Sequence, residues 1–179
     1  MLGVGDQFPE FKVKATVSTS RNLSEAFKDI DQDTYAGKWK VYFFYPKDFT
    51  FVCPTEIKGF NDLNSEFEKR NAQVIAASTD SEFVHHAWRT HDKLINDLSI
   101  PMLADIKREL SASLGILDAE EGVAQRATFI VDPDNKIRAV YVTDLNVGRD
   151  PKEVLRILTA LQTDKLCPCA WEEGKDTLS

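Results

Sequence analysis

The chain has 179 residues, with 42% apolar and 28% charged side chains and a net charge of −7. That length and usage fit one ordinary globular domain and exclude collagen-like, coiled-coil and wholly disordered chains. The acidic balance provides no field to draw in nucleic acid or an anionic membrane, and no apolar run approaches the ~18 residues of a membrane span.

The start, MLGVGDQFPEF, has neither the basic nor the apolar stretch of a secretory signal, so a cytoplasmic location is expected. Residues 38–45 (KWKVYFFY) are aromatic and β-branched and read as a buried strand that Pro46 closes. From Cys53 to about Arg70, Ile57, Phe60, Leu63 and Phe67 recur every three or four residues, which predicts an amphipathic helix. Residues 74–77 read as a short strand and 81–98 as a more polar helix. Ile106, Leu110 and Leu114 mark a further helix face, with Gly115 as its stop. Residues 126–131 and 137–142 are strands around the turn-rich Asp132-Pro133-Asp134-Asn135, a hairpin. Asp150 then serves as an N-cap, with Pro151 at the first helical position and Glu153 placed for a capping box. Strands alternating with helices and ending in a hairpin predict an α/β, thioredoxin-like fold, a mixed central sheet with helices on both faces. The domain is expected over residues 1–163, and residues 164–179 form a polar C-terminal tail.

There are three cysteines, Cys53, Cys167 and Cys169, too few for a disulfide scaffold and odd in number. Cys53 follows a buried strand and opens a helix. The unpaired N–H groups and positive dipole of a helix N-terminus favour thiolate over thiol there. Taken alone, a cytosolic cysteine is more often an inert core residue. Thr50, three residues upstream, has a hydroxyl within reach of the sulfur or of an oxygen bound beside it. By itself such a threonine is more often a turn residue. Arg126, opening a strand well inside the sequence, is the leading candidate for a nearby cation, its ordinary alternative being a surface salt bridge. Pro46 and Pro54 stiffen the segment.

The motif Pro46-x-x-x-Thr50-x-x-Cys53 resembles the active-site motif of the peroxiredoxins, and FYPKDFTFVCPTEI resembles that of a typical 2-Cys member. The resemblance covers nearly the whole chain. It continues through Asp80-Ser81-x-Phe83-x-His85-x-Ala87-Trp88, through Gly122-Val123-Ala124-x-Arg126-x-Thr128-Phe129, through Val147-Gly148-Arg149, and through Cys167-Pro168 with Trp171. It implies a thiol peroxidase of antioxidant defence. Hydrogen peroxide and organic hydroperoxides are its implied substrates, with peroxynitrite a third candidate. Cys53 is the implied peroxidatic cysteine, and its thiolate becomes a sulfenic acid. Thr50 and Arg126 hold the peroxide, Pro46 shields the pocket, and Glu56 and Arg149 orient the active-site arginine. Cys167 is the implied resolving cysteine, joined to Cys53 of a second subunit, so a homodimer is implied, with decameric rings common in the family. Cys169 is extra to the common tail pattern. Cys167-Pro168-Cys169-Ala170-Trp171 is similar to the three-cysteine alkyl hydroperoxide reductases C of actinobacterial type, and in this chain either tail cysteine is a candidate to resolve, Cys167 first and Cys169 as backup or as a route for disulfide transfer.

No Gly-x-Gly-x-x-Gly and no P-loop occurs, so no cofactor is expected and electrons should come through thiols alone, from thioredoxin, a flavoprotein reductase or a small Cys-x-x-Cys adaptor. A metal site built from Cys167 and Cys169 with His85, His86 and His91 is a weak rival, because these histidines read more simply as exposed helix residues. A thioredoxin-type oxidoreductase needs a second thiol at position 56, which is Glu56. A non-enzymatic holdase ring is the remaining alternative.

Overall fold

The structure, a computed structural model, describes residues 1–178. In chain order it contains β1 (Lys12–Thr16), α1 (Leu23–Ala26), β2 (Phe27–Asp31), β3 (Trp39–Phe44), α2 (Cys53–Asp62), α3 (Asn64–Lys69), β4 (Ala72–Ser78) and α4 (Glu82–His91). There follow β5 (Met102–Ala104), α5 (Glu109–Leu114), β6 (Leu117–Asp118), β7 (Val123–Ala124), β8 (Arg126–Val131), β9 (Ile137–Thr143) and α6 (Pro151–Gln162). Seven strands make one sheet in the order β2-β1-β5-β4-β3-β8-β9. The β3–β4 and β4–β5 pairs are parallel and the rest antiparallel, giving the mixed sheet expected of a thioredoxin-like fold.

The alternation of β3 splits the core in two. Val41, Phe43 and Tyr45 pack on one face with Ile57 and Phe60 of α2, Phe67 of α3, Trp88 of α4, and Val154 and Leu158 of α6. Tyr42 and Phe44 pack on the other with Phe8, Leu110, Leu114 and Phe129. A strand buried on both faces reads as a continuous apolar run, which is why residues 38–45 stood out. The β8–β9 hairpin forms around Asp132–Asn135, with Asn135 at φ 60°, a conformation asparagine tolerates.

Four expectations are corrected. The helix from Cys53 breaks at Leu63, because Asn61 and Asn64 turn their side-chain amides to Ser99 of a neighbouring loop. The helix from Ser81 ends at His91. There Asp92 turns its carboxylate onto the N–H of Leu94, and the Arg89 guanidinium takes the Leu98 carbonyl, folding residues 92–98 back. Ile106 lies outside α5 and is exposed, because Arg108 is left-handed (φ 62°) and the Asp105 carboxylate receives the N–H groups of Leu110 and Ser111. Asp150 caps α6 through the N–H of Lys152, but Glu153 forms two bonds to Arg156 instead of closing a capping box. The first 37 residues supply two strands, β1 and β2, that alternation did not reveal.

The tail, as far as Leu178, folds back on α6. Arg156 donates to the Trp171 carbonyl (2.9 Å), the buried Trp171 indole donates to Lys175 (3.0 Å), and the Leu178 N–H reaches the Leu166 carbonyl (2.8 Å). Ser179, the last residue of the expected tail, lies outside the described residues.

Candidate active site

The loop after β3 carries Pro46, Asp48 and Thr50 and delivers Cys53 to the first position of α2. Cys53 is only 1% exposed and lies in the core cluster with Tyr45 and Ile57. Its site is at the C-terminal end of a parallel strand, where a helix begins, the usual place for a site in open α/β sheets.

Arg126, the first residue of β8, reaches across to this point. Its Nη1 is 3.4 Å from Cys53 Sγ and 2.6 Å from Glu56 Oε2, while its Nε donates to the Leu145 carbonyl at 2.7 Å. Arg149, just before α6, grips the same carboxylate. Its backbone N–H and Nε both donate to Glu56 Oε1 at 2.8 Å, and Nη2 donates to Oε2 at 3.1 Å. Arg149 Nη1 is held in turn by the Ala127 carbonyl and the Thr128 hydroxyl. Glu56, Arg126 and Arg149 are all nearly fully buried. Burial acts to raise the Glu56 carboxyl, but the hydrogen bonds and charge of Arg149, then the charge of Arg126, outweigh it and hold it below the ordinary carboxylate range. One buried anion therefore fixes two guanidinium groups, and one of them, Arg126, stands beside the Cys53 thiol.

Pro46 is buried at the mouth of this loop. The Thr50 hydroxyl donates to the Lys47 carbonyl at 2.9 Å, so it closes the turn, and its oxygen remains an acceptor. The loop is pinned from below by groups whose pairing leaves no local signal in the sequence. Asp48 accepts from the Tyr45 hydroxyl (2.7 Å) and lies 2.7 Å from His85 Nδ1, while His85 Nε2 lies 3.1 Å from the Leu103 carbonyl. A carbonyl only accepts, so Nε2 carries a proton, and the 2.7 Å contact to Asp48 holds a second one. Burial lowers the His85 imidazole, but the Asp48 hydrogen bond and charge overcome it and leave it raised. His85 is fully buried, which corrects its reading as an exposed helix residue.

The tail cysteines lie elsewhere. Cys167 is half-buried with its sulfur 3.4 Å from the Thr163 hydroxyl and 3.8 Å from the Ala160 carbonyl, and Cys169 is exposed. Both line a groove of about 890 Å³ with Arg138, Arg156 and Lys165. Arg149 at the start of α6 touches Glu56, whereas Cys167 sits by Ala160 near the other end. At 1.5 Å per residue, these ends are about 15 Å apart. A disulfide needs Cβ atoms within about 3.5–4.5 Å, and all three thiols are free. Among the described residues, no three His, Cys, Asp or Glu side chains come together to hold a metal, and no helix is long and apolar enough to cross a membrane.

Residues 4–140 match the AhpC/TSA family. The chain is 49% identical over 185 residues to alkyl hydroperoxide reductase C of Mycolicibacterium smegmatis, covering 100% of this chain and 94% of that protein. Its structure is similar to that of Mycobacterium bovis AhpC, with a TM-score of 0.88 and 49% identity over 96% of this chain and 99% of that one. The reduced 2-Cys peroxiredoxin of Plasmodium vivax superposes with a TM-score of 0.89 at 30% identity, covering 99% of this chain and 93% of that one.

Proposed function

The chain belongs to the AhpC/TSA family and is a thiol peroxidase, and from that premise we propose that Cys53 is its peroxidatic nucleophile. The observation that carries this is the 3.4 Å approach of Arg126 Nη1 to Cys53 Sγ at the start of a helix, with the arginine locked by Glu56. The Cys53 thiolate attacks one peroxide oxygen. An S–O bond forms, the O–O bond breaks, and the departing oxygen leaves as hydroxide or alkoxide and takes up a proton. Sulfur is oxidised to the sulfenic acid and the peroxide is reduced to water or alcohol. Arg126 stabilises negative charge on the departing oxygen, and the Thr50 oxygen accepts from the peroxide O–H. Pro46 excludes water, and Glu56 with Arg149 orients Arg126.

The Cys167 thiol then condenses with the sulfenic acid, forming an S–S bond and releasing water. The distance along α6 supports a Cys167 from a second copy as the donor. β9 ends the strand order of the seven-stranded sheet, and the proposal seats such a copy on that edge. The homodimer, its assembly into a decameric ring and the role of Cys169 in resolution or onward transfer belong to this proposal. So do a dithiol reductant protein, the assignment of residues 1–163 and 164–179 as domain and tail, and a cytoplasmic location, where three free thiols suit a reducing compartment.

The test is peroxide consumption by the reduced protein with dithiothreitol as reductant. The native chain should turn over and Cys53→Ser should not. Turnover that survives Cys53→Ser would place the chemistry elsewhere.

A further inference from the structure

Glu56, itself held by Arg149, grips Arg126 at Nη1, and a second hold on the Arg126 guanidinium comes from outside that cluster. Its Nε has one partner, the backbone carbonyl of Leu145, at 2.7 Å. Leu145 belongs to a tight turn between β9 and Arg149. The turn is closed by the Val147 N–H donating to the Asp144 carbonyl at 3.0 Å. A second bond closes it from outside, because the Thr143 hydroxyl donates to the Val147 carbonyl at 2.8 Å. Two residues further on, the Arg149 N–H meets Glu56. The same short turn therefore sets both arginines against one carboxylate.

The register ties the turn to the arginine a second time. Thr143 is the direct cross-strand partner of Arg126. Opposed residues of an antiparallel pair project from the same face, so the half-buried Thr143 side chain stands beside that of Arg126. One hydroxyl sits where it flanks the arginine and fixes the turn whose carbonyl receives the arginine's Nε.

We propose that Thr143 is a positioning residue for the peroxidase reaction. Its hydroxyl holds the 144–147 turn so that the Leu145 carbonyl keeps Arg126 aimed at the Cys53 sulfur. The proposal rests on the peroxidase reading of Cys53 and names a further residue that the reading does not require.

The experiment uses a pair of substitutions that separates aim from packing. Thr143→Val keeps the volume and the β-branch but removes the donor. Thr143→Ser keeps the donor but loses a methyl and strand preference. A packing role ranks valine above serine in thermal stability and leaves the peroxide rate level. A positioning role reverses the order in rate. In single-turnover consumption of hydrogen peroxide by the reduced full-length protein, Thr143→Val should be about fivefold to tenfold slower, the size of one hydrogen bond's net effect. Thr143→Ser should stay within about twofold of the native rate. The later disulfide step, read on a non-reducing gel, should be equally fast in both once sulfenic acid has formed. Equal first-turnover rates for valine and serine would overturn the role of Thr143. A native protein that consumed no peroxide would overturn the peroxidase reading, and this inference with it.

Discussion

The two thiol regions of this molecule are built in opposite ways. Around Cys53 the charged groups Glu56, Arg126 and Arg149 are buried and multiply held. Glu56 receives bonds from two arginines, Arg126 has partners on both Nε and Nη1, and the loop beneath is tied by Tyr45, Asp48 and His85. Around Cys167 and Cys169 the sulfurs themselves are half-buried or exposed, and the tail is tied by contacts such as the Arg156 bond to Trp171, the Trp171 bond to Lys175, the Arg70–Glu173 ion pair and the Leu178–Leu166 backbone bond. On the proposed roles, the contrast follows from what each sulfur has to do. A nucleophile gains from charges fixed before the reaction, because nothing then has to reorganise as charge moves. A resolving thiol has to travel, so its holding contacts must be cheap to break. The burial that aims Cys53 also hides it, so the proposed disulfide requires the first turn of α2 to open, the tail to move, or both.

Substitutions that break this contrast should separate cleanly. The largest effect is expected from Glu56→Gln, which leaves two buried guanidinium groups without their anion. Losing one partner of a buried ionic cluster costs about 3–5 kcal/mol, so thermal unfolding should show a large drop together with loss of peroxide turnover. A native-like melting temperature would mean that water already reaches the cluster. Arg126→Met leaves Glu56 paired with Arg149, so it should destabilise less than Glu56→Gln, while slowing the first turnover by roughly 100- to 1000-fold, the usual range for removing one transition-state donor. An unchanged rate would make the arginine structural only.

On the tail side, Cys167→Ser should keep a normal first turnover and lose both recycling and the dimer band on a non-reducing gel, while Cys169→Ser keeps the band. The reverse pattern would make Cys169 the resolving thiol. A smaller effect comes from pH. His85 has a raised pKa through Asp48, so the stability of that pair is present below the ordinary histidine range and is lost as pH rises through the raised value. Glu56 has a lowered pKa, so its contribution is present above the ordinary carboxylate range and is lost as pH falls through the lowered value. The melting temperature should therefore fall on the alkaline side in the native protein, and that alkaline loss should vanish in His85→Gln. A persistent loss would assign it to another group.

How much of this could be read from sequence depended on the range of the interaction. The strand at 38–45 and the helix start at Cys53 were legible because alternation and a helix opening are local signals. Arg126 could be singled out because a charged residue opening a buried strand is anomalous. Helix ends were misread where distant groups decided them, as at Leu63, where Ser99 intervenes, and at His91, where Arg89 reaches Leu98. The pairing of Asp48 with His85 spans 37 residues and leaves no periodic trace. The Leu145 carbonyl could not be foreseen at all, because every residue has one and only the fold decides which points at Arg126.

The central claim is that one preorganised thiol reacts and a distant, loosely held one resolves it. It is tested most directly by adding one equivalent of hydrogen peroxide to the reduced protein and mapping non-reduced peptides by mass spectrometry. The account predicts a peptide pair joined through Cys53 and Cys167 in a covalent dimer, and sulfenic Cys53 alone in the Cys167→Ser variant. Peroxide consumed while Cys53 stays a free thiol would contradict it.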